Sequence, residues 1–549
     1  MKLSENFKQK LIAILKYILF YWAIYLYTHI VGIAKWNSEQ LKMEVPVVMY
    51  LYFLFNGILK NDRFQYVGAA IPILIVYIIH DLYFFTFGKT PRLIEIKELP
   101  ELVNVLDVKH LSLLLFLFIP LGVFFIKFDK NKLKLFLLRS LPLFIVIFLM
   151  IYTPESLAKY IDKIGNIVEW SDVKTVKKNG RIITAIYYEA KRRYAYNQLS
   201  NYRDLTKLKL KVTEKVLNKI NNRNVHLIIL ESFIDPRWFN NLKFNINPAH
   251  DSFMRLLDNK VGSSLSPVFG GGTAQAEFEV LCGVPAFREI DSVEFNVFTG
   301  SKTYCLPEIL NEAGYLTIVT NPYRPYFNAI NAYKGLGFNQ IYFPKEYVPN
   351  NKTYLKLDDT PGGYLFDGSL LRQNLDFISR VIHNGKPVLN YILGIYGHFN
   401  FERNEEIRPS IIKTDSAIPE IDRIANQFFE RTQAIAEFVN KINLVDPNSL
   451  IIIISDHLPP LKLSSGKNVY SELGYLKNIP NSTHYTPFIV IKNGEVVKYD
   501  NFYHFNIYRL ILDYLTDGSY CKEYNCKSNA DNKSIYYNDY LTILGLASR

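Results

Sequence analysis

At 549 residues the chain is too long for one compact domain, and its 15% aromatic content with a mean hydropathy of +0.02 sets it apart from a purely soluble protein. The formal net charge of +12 fits a basic face near anionic headgroups or an anionic substrate. Apolar residues concentrate in the runs 11–34, 46–59, 67–87, 111–126 and 135–152, separated by short charged loops. Most approach the roughly 20 residues that cross a bilayer, which predicts a transmembrane domain of about five helices over 1–152. The first run is too long, and too closely followed by others, for a cleaved signal peptide, and it reads as an anchor.

Lysine and arginine bias sets the orientation. With the N-terminus inside, Lys2, Lys8, Lys10, Lys60, Arg63, Lys127, Lys130, Lys132, Lys134 and Arg139 all fall on the cytoplasmic side. The acidic loop with Glu95, Glu98, Glu101 and Asp107 is then outside, as is everything after residue 153. Nucleic acid is not a partner on that side. All four cysteines, Cys282, Cys305, Cys521 and Cys526, lie in this outer part, which suits two disulfides in an oxidising compartment. The sequence-local pairing, Cys282 with Cys305 and Cys521 with Cys526, is one of three connectivities. A cysteine metal site is the weaker alternative, because no histidine sits at ligand spacing beside them.

Residues 153–222, with "KKNGR" and "EAKRRYAYNQ", read as a helical juxtamembrane connector. From 223 to 549 short β-branched runs alternate with helical segments, the pattern of an α/β domain with a mostly parallel central sheet. Strands are expected at 225–230, 315–320, 388–396, 450–455 and 487–492. Glu231 follows the first, Asn321 the second, His398 the third, and Asp456 and His457 the fourth. In open α/β sheets ligands bind beyond the carboxyl ends of the strands, so these residues are expected to share one crevice.

A carboxylate at the end of a buried strand demands a compensating cation. Glu231, Asp456 and His457 together supply the oxygen and nitrogen donors that suit a divalent metal. Thr273, in "GGGT" at 270–273, would add a hydroxyl ligand that ionises and becomes the nucleophile. The glycines allow close backbone approach, and the following "AQAEFEVL" starts a helix whose first amides favour an anion. The alternative reading makes Thr273 an ordinary N-cap, with Glu277 and Glu279 in the first turns. The loop is not a Walker loop, since no Gly-Lys-Ser/Thr follows.

In this order, "ILESF", "GGGTAQAEFEVLCG", "YGHFNF" and "SDHLPP" resemble the lipoteichoic acid synthase family of phosphoglycerol transferases, with its alkaline-phosphatase/sulfatase-like fold. The chain is also similar to bacterial transferases that move phosphoglycerol from phosphatidylglycerol onto periplasmic glucans. The resemblance implies one divalent metal, manganese above zinc or magnesium, held by Glu231, Thr273, Asp456 and His457. It places His398 against the phosphoglycerol or the leaving group. Cys282, Pro285 and Arg288 are spaced Cys-x-x-Pro-x-x-Arg and miss the Cys-x-Pro-x-Arg needed for formylglycine, which favours an unmodified threonine nucleophile. Where the family carries histidine, tryptophan and arginine, this chain reads "TNPYRPYFNAINAYKGLG", with Phe327 in place of the tryptophan and Arg324 as the phosphate contact beside Asn321. The cysteines lean toward Gram-negative periplasmic members.

The reaction so implied is a two-step transfer. Thr273 attacks the phosphorus of phosphatidylglycerol, releases diacylglycerol, and passes the head group to a hydroxyl of a cell-envelope glycan or polymer, with His398 assisting proton transfer. A multi-pass anchor in the bacterial cytoplasmic (inner) membrane, with the catalytic domain on its periplasmic or extracellular side, keeps the lipid donor at high effective concentration. The alternatives are a phosphoethanolamine transferase acting on lipid A or glycan, and a non-catalytic sulfatase-like regulatory protein. His484, in "STHYTPF", precedes the last strand and reads as a surface or core histidine before a member of the crevice.

Overall fold

The computed structural model describes residues 5–87, 90–98, 108–167, 172–258, 260–291, 293–326, 328–349, 352–398, 401–461, 469–524, 526 and 533–549. The chain divides into two compact units, Met1–Gln198 with Glu289–Ser292, and Leu199–Arg288 with Val293–Arg549. The stretch read as one connector, 153–222, is thus shared between the two.

The apolar runs of the first unit lie mostly on helix: Glu5–Ile30, Gln40–Ile58, Gln65–Phe87, Val108–Ile126, and the pair Leu133–Arg139 and Leu141–Tyr152. Among the described residues two helical segments, Gln40–Ile58 and Gln65–Phe84, are long and apolar enough to cross a membrane, and a third span is made if the pair bent by 57° at Ser140 counts as one. Helix Leu141–Tyr152 buries none of its residues, and Phe144, Ile145, Phe148 and Ile151 face outward. Apolar area of that kind needs a hydrocarbon or protein surface against it.

Inside this unit sits a polar lock that no local pattern announced. Arg181 donates from Nε and Nη2 to the two carboxylate oxygens of Asp81, at 2.8 and 2.7 Å. Glu44 accepts the backbone N–H groups of Arg181, Ile182 and Ile183, and also the hydroxyl of Tyr77 at 2.8 Å. Its carboxylate therefore satisfies the orphan amides that open helix Arg181–Gln198. Gly180, at φ +94°, must be glycine: a Cβ there would lie 2.4 Å from the Glu44 side chain.

The second unit is built on a nine-stranded sheet. Its strands are β1 (Val225–Leu230), β2 (Gly262–Leu265), β3 (Leu316–Thr320), β4 (Gln340–Tyr342), β5 (Val388–Gly394), β6 (Leu450–Ser455), β7 (Tyr485–Lys492), β8 (Glu495–Val497) and β9 (Phe502–Tyr503). The order is β4-β3-β5-β1-β6-β7-β2-β9, with β8 on β7. Strands β4, β3, β5, β1 and β6 run parallel, while β7 is antiparallel to β6, β2 and β8. The sheet is mostly parallel, as expected, with every residue of β1, β5 and β6 buried.

Ile228, Leu230, Ile392, Ile451 and Ile453 share one core with helices Asp367–Val381 and Pro419–Val445. Successive strand residues point to opposite faces, so Tyr391 faces away from that layer. There its hydroxyl meets Glu277 of helix Thr273–Cys282 at 2.6 Å, which puts the two helical layers on opposite faces of the sheet. Both disulfides follow the sequence-local pairing, Cys282–Cys305 and Cys521–Cys526. The first ties the buried end of helix Thr273–Cys282 to the start of helix Leu306–Glu312.

Candidate active site

At the carboxyl ends of β1 and β6 the chain brings together Glu231, Asp456 and His457, 5%, 0% and 2% exposed, with one donor atom from each within 4.8 Å of the others. Thr273 Oγ1 lies 2.7 Å from Asp456 Oδ2 and 3.0 Å from Glu231 Oε2. Gly270, Gly271 and Gly272 all have positive φ, a conformation open to glycine at little cost, and this turn delivers the threonine to the carboxylates. Gly272 is the N-cap and Thr273 the first helical residue, so the N-cap alternative does not describe it. Its hydroxyl faces the carboxylates.

Ser232 organises the cluster from the strand end. It sits in the left-handed region at φ +48°, a strained place for a side chain. There its N–H donates to Asp456 Oδ1 at 2.8 Å and its hydroxyl to Glu231 Oε1 at 2.7 Å. The His457 N–H also donates to Asp456 Oδ1, at 2.7 Å. Asp456 Oδ1 is thereby held by two amides, and Oδ2 is left facing Thr273. Behind Glu231, Arg431 Nη2 donates to its backbone carbonyl at 2.9 Å while Nε donates to buried Asp367 at 2.7 Å.

The ring of His457 tests the donor set. Nδ1 lies 3.1 Å from the carbonyl of Leu458, and a carbonyl only accepts, so Nδ1 carries a proton. Nε2 lies 3.3 Å from Asp456 Oδ2 and 3.6 Å from Glu231 Oε1, buried and outside hydrogen-bonding geometry with either. Burial and the neighbouring Glu231 charge push the Asp456 carboxyl up to about 7. Burial also works against the Glu231 charge, yet His457, His398 and the Ser232 hydroxyl hold its carboxyl below the usual range. Two carboxyl groups crowded into a dry pocket repel each other unless a cation lies between them. The residues present fit a divalent metal held by Glu231, Asp456 and His457, with Thr273 beside it.

His398 lies against the ring of Tyr364, centroids 4.6 Å apart, on the loop that leaves β5. Gly397 brings that loop onto the end of β1: a Cβ there would lie 2.1 Å from the Glu231 carbonyl oxygen. Asn321, after β3, is 6% exposed and turned inward. Its Nδ2 donates to the Tyr333 hydroxyl at 3.0 Å and its Oδ1 accepts the Tyr323 N–H at 2.9 Å. Tyr333 and Tyr391 both donate to Glu277 Oε1, at 3.0 and 2.6 Å, and burial raises that carboxyl to about 7. Arg324 is exposed, with its guanidinium 5.1 Å from the centre of the Tyr347 ring. Phe327 lies outside the described residues. The Nδ1 of His484 donates to the carbonyl of Ser266 at 2.9 Å, and the Ser266 hydroxyl donates to the backbone of Asp456.

Ser232 and Gly397 were legible only in hindsight, as the neighbours of Glu231 and His398 in "ILESF" and "YGHFNF". Arg431 and Asp367 carried no signal, since each sits inside an ordinary helical pattern.

Fold and site define a class: an α/β enzyme whose strand ends gather three groups that could hold a divalent metal, with one hydroxyl beside them. The sulfatase family model matches residues 223–516, more than half of the chain, and the chain belongs to the sulfatase family. That family consists of metal-dependent enzymes of phosphotransferase or hydrolase type. The chain is 26% identical over 289 residues to a protein of Rhizobium meliloti (strain 1021) named for cyclic β-1,2-glucan modification, a match that covers 49% of this chain and 42% of that relative's length. Among solved structures it is similar to the phosphoglycerol transferase GacH of Streptococcus pyogenes, at 16% identity and TM-score 0.44 over 64% of this chain and 92% of that one. It is also similar to the lipoteichoic acid synthase LtaP of Listeria monocytogenes, at 15% identity and TM-score 0.43 over 58% and 78%. The periplasmic domain of EptC from Escherichia coli aligns at 13% identity and TM-score 0.37 over 54% and 83%.

Proposed function

We propose that the chain is a membrane-anchored phosphoglycerol transferase that takes its head group from phosphatidylglycerol and delivers it to a cell-envelope glycan or polymer. The observation that carries this reading is the Thr273 hydroxyl, set 2.7 Å from Asp456 Oδ2 at the mouth of a glycine turn and ahead of a helix N-terminus. Residues 1–152 serve as the membrane domain, 153–222 as its juxtamembrane connector and 223–549 as the catalytic domain, on the outer side of the bacterial cytoplasmic (inner) membrane. The relative named for glucan modification agrees with a glycan acceptor.

Thr273 Oγ1 gives up the proton it shares with Asp456 and forms a bond to phosphorus. The bond from phosphorus to the diacylglycerol oxygen breaks, and that oxygen takes up a proton. In the second step an acceptor hydroxyl loses its proton and attacks the phosphothreonine, which frees Thr273. His398 is the group assigned to donate in the first step and accept in the second. A bound divalent ion, with manganese suited to the oxygen-rich donors, lowers the pKa of the threonine hydroxyl and neutralises charge on phosphorus. Glu231, Asp456 and His457 hold that ion, Ser232 and the His457 N–H orient Asp456, and Arg324 is the contact for the head-group phosphate.

Mass spectrometry of the Thr273 peptide after incubation with mixed membrane lipids tests this directly. A phosphoglycerol adduct is expected. A phosphoethanolamine adduct replaces the donor by the alternative one, and an unmodified peptide with every lipid overturns the nucleophile.

A further inference from the structure

A wall of half-exposed rings continues from the catalytic cluster. Tyr364 lies against His398, and Tyr323 lies against Tyr364, with centroids 5.5 Å apart and planes tilted by 33°. Tyr326 and Tyr347 meet Tyr323 edge-on, at 5.9 and 6.1 Å. Tyr323 and Tyr326 leave the end of β3 and His398 leaves the end of its neighbour β5, so the wall stands on two adjacent parallel strands. Asn321 fixes its root by accepting the Tyr323 N–H while tied to Tyr333.

We propose that this wall is the acceptor subsite and that it takes a neutral sugar ring. The proposal rests on the transferase reading above and supplies the chemistry of its acceptor. A pyranose ring is apolar across its C–H faces and polar around its hydroxyl rim. A surface made of tyrosines matches both, offering an aromatic face and a hydroxyl at the edge of each ring. An acyl chain would be served by a dry aliphatic groove, and four half-exposed phenols are not that. A phosphorylated acceptor would call for converging cations, and Arg324, laid over Tyr347, is already assigned to the head-group phosphate of the donor. Continuity with His398 brings a hydroxyl of a sugar on the wall within reach of the group that handles its proton.

The test uses the full chain in detergent, carrying Thr273→Ala so that no transfer occurs, and a linear neutral glucose hexasaccharide as probe, followed by saturation-transfer NMR and calorimetry. Binding is expected to the parent, to weaken about tenfold with Tyr323→Ala or Tyr347→Ala, and to survive Tyr323→Phe within about twofold. Unchanged thermal midpoints show that the variants fold. Absence of hexasaccharide binding to the parent, or binding by both alanine variants as tight as the parent's, overturns the proposal. So does weakened binding of short-chain phosphatidylglycerol with hexasaccharide binding intact, which assigns the wall to the lipid. With Thr273 restored, Tyr323→Ala is expected to form the threonine adduct at the parent rate while losing turnover to the saccharide. A missing adduct in the parent defeats the transferase reading, and the binding measurement still decides the wall.

Discussion

His457 Nε2 lies 3.3 Å from Asp456 Oδ2, and the Glu231 carboxylate crowds the same buried pocket 3.6 Å from that nitrogen. Two carboxyl groups against a single imidazole repel each other, and a bound divalent cation would relieve that repulsion. The apoprotein with Asp456→Asn, which removes one of the two carboxylates, is therefore expected to be at least as stable as the parent apoprotein. Manganese is expected to raise the thermal midpoint of the parent only, since ligand binding stabilises in proportion to affinity. Calorimetry with and without a chelator checks this, and metal analysis should find one ion per parent chain and none in the variant.

Thr273→Ala removes the proposed nucleophile, so transfer is expected to fall to background with the metal still bound. Thr273→Ser keeps the oxygen and is expected to retain measurable adduct. Labelled phosphatidylglycerol read on the Thr273 peptide distinguishes the two.

Gly397→Ala would drive a Cβ to 2.1 Å from the Glu231 carbonyl oxygen and 2.6 Å from Arg431 Nη1, neither of which can yield cheaply. Overpacking of this kind costs about 1–3 kcal/mol. The midpoint of unfolding is expected to drop, and metal affinity with it, because Glu231 is the residue displaced.

The two disulfides close loops of very different size, with sequence separations of 23 and 5. Chain entropy then assigns about 3 kcal/mol to Cys282–Cys305 and about 2 kcal/mol to Cys521–Cys526. Paired alanine substitutions compared by denaturant unfolding are expected to reproduce that order. Loss of the first should also loosen the end of the helix that begins at Thr273.

Glu277 is buried against Tyr391 and Tyr333, and its carboxyl rises from 4.5 to about 7. Between these values the folded chain holds a proton that the unfolded chain has released. Stability is therefore full below the lower value and falls as pH rises through the upper one, by about 3 kcal/mol in total. Glu279 behaves alike, also for reasons of burial. Glu277→Gln is expected to flatten, by about half, the loss of stability between these two pH values.

Much of this was legible because the signals are local. The strands β1, β5 and β6 are β-branched runs buried on both faces, and Glu231, Asp456 and His457 stand out because polar groups follow such runs directly. Strands β2, β4, β8 and β9 escaped the sequence, being two to four residues long and mostly half-exposed. Among the described residues, the helices that carry the second and third apolar runs, Gln40–Ile58 and Gln65–Phe84, are long and apolar enough to cross a membrane, because hydropathy over a window needs no partner.

By itself the sequence determined the class of the longer elements, the side chains waiting at the strand ends, and the glycine turn before Thr273, since period, composition and chain direction settle these. Only the tertiary structure decided that Arg431 holds Glu231, that Glu44 caps the helix opened by Arg181, and that Tyr364 joins the tyrosines after β3 to His398. Each of these joins residues far apart in the chain, as Arg431 and Glu231 are at a separation of 200, and such contacts exist only once the elements have packed. A hydrogen bond or ring contact is specified by position in space to within about an ångström, which no local pattern encodes.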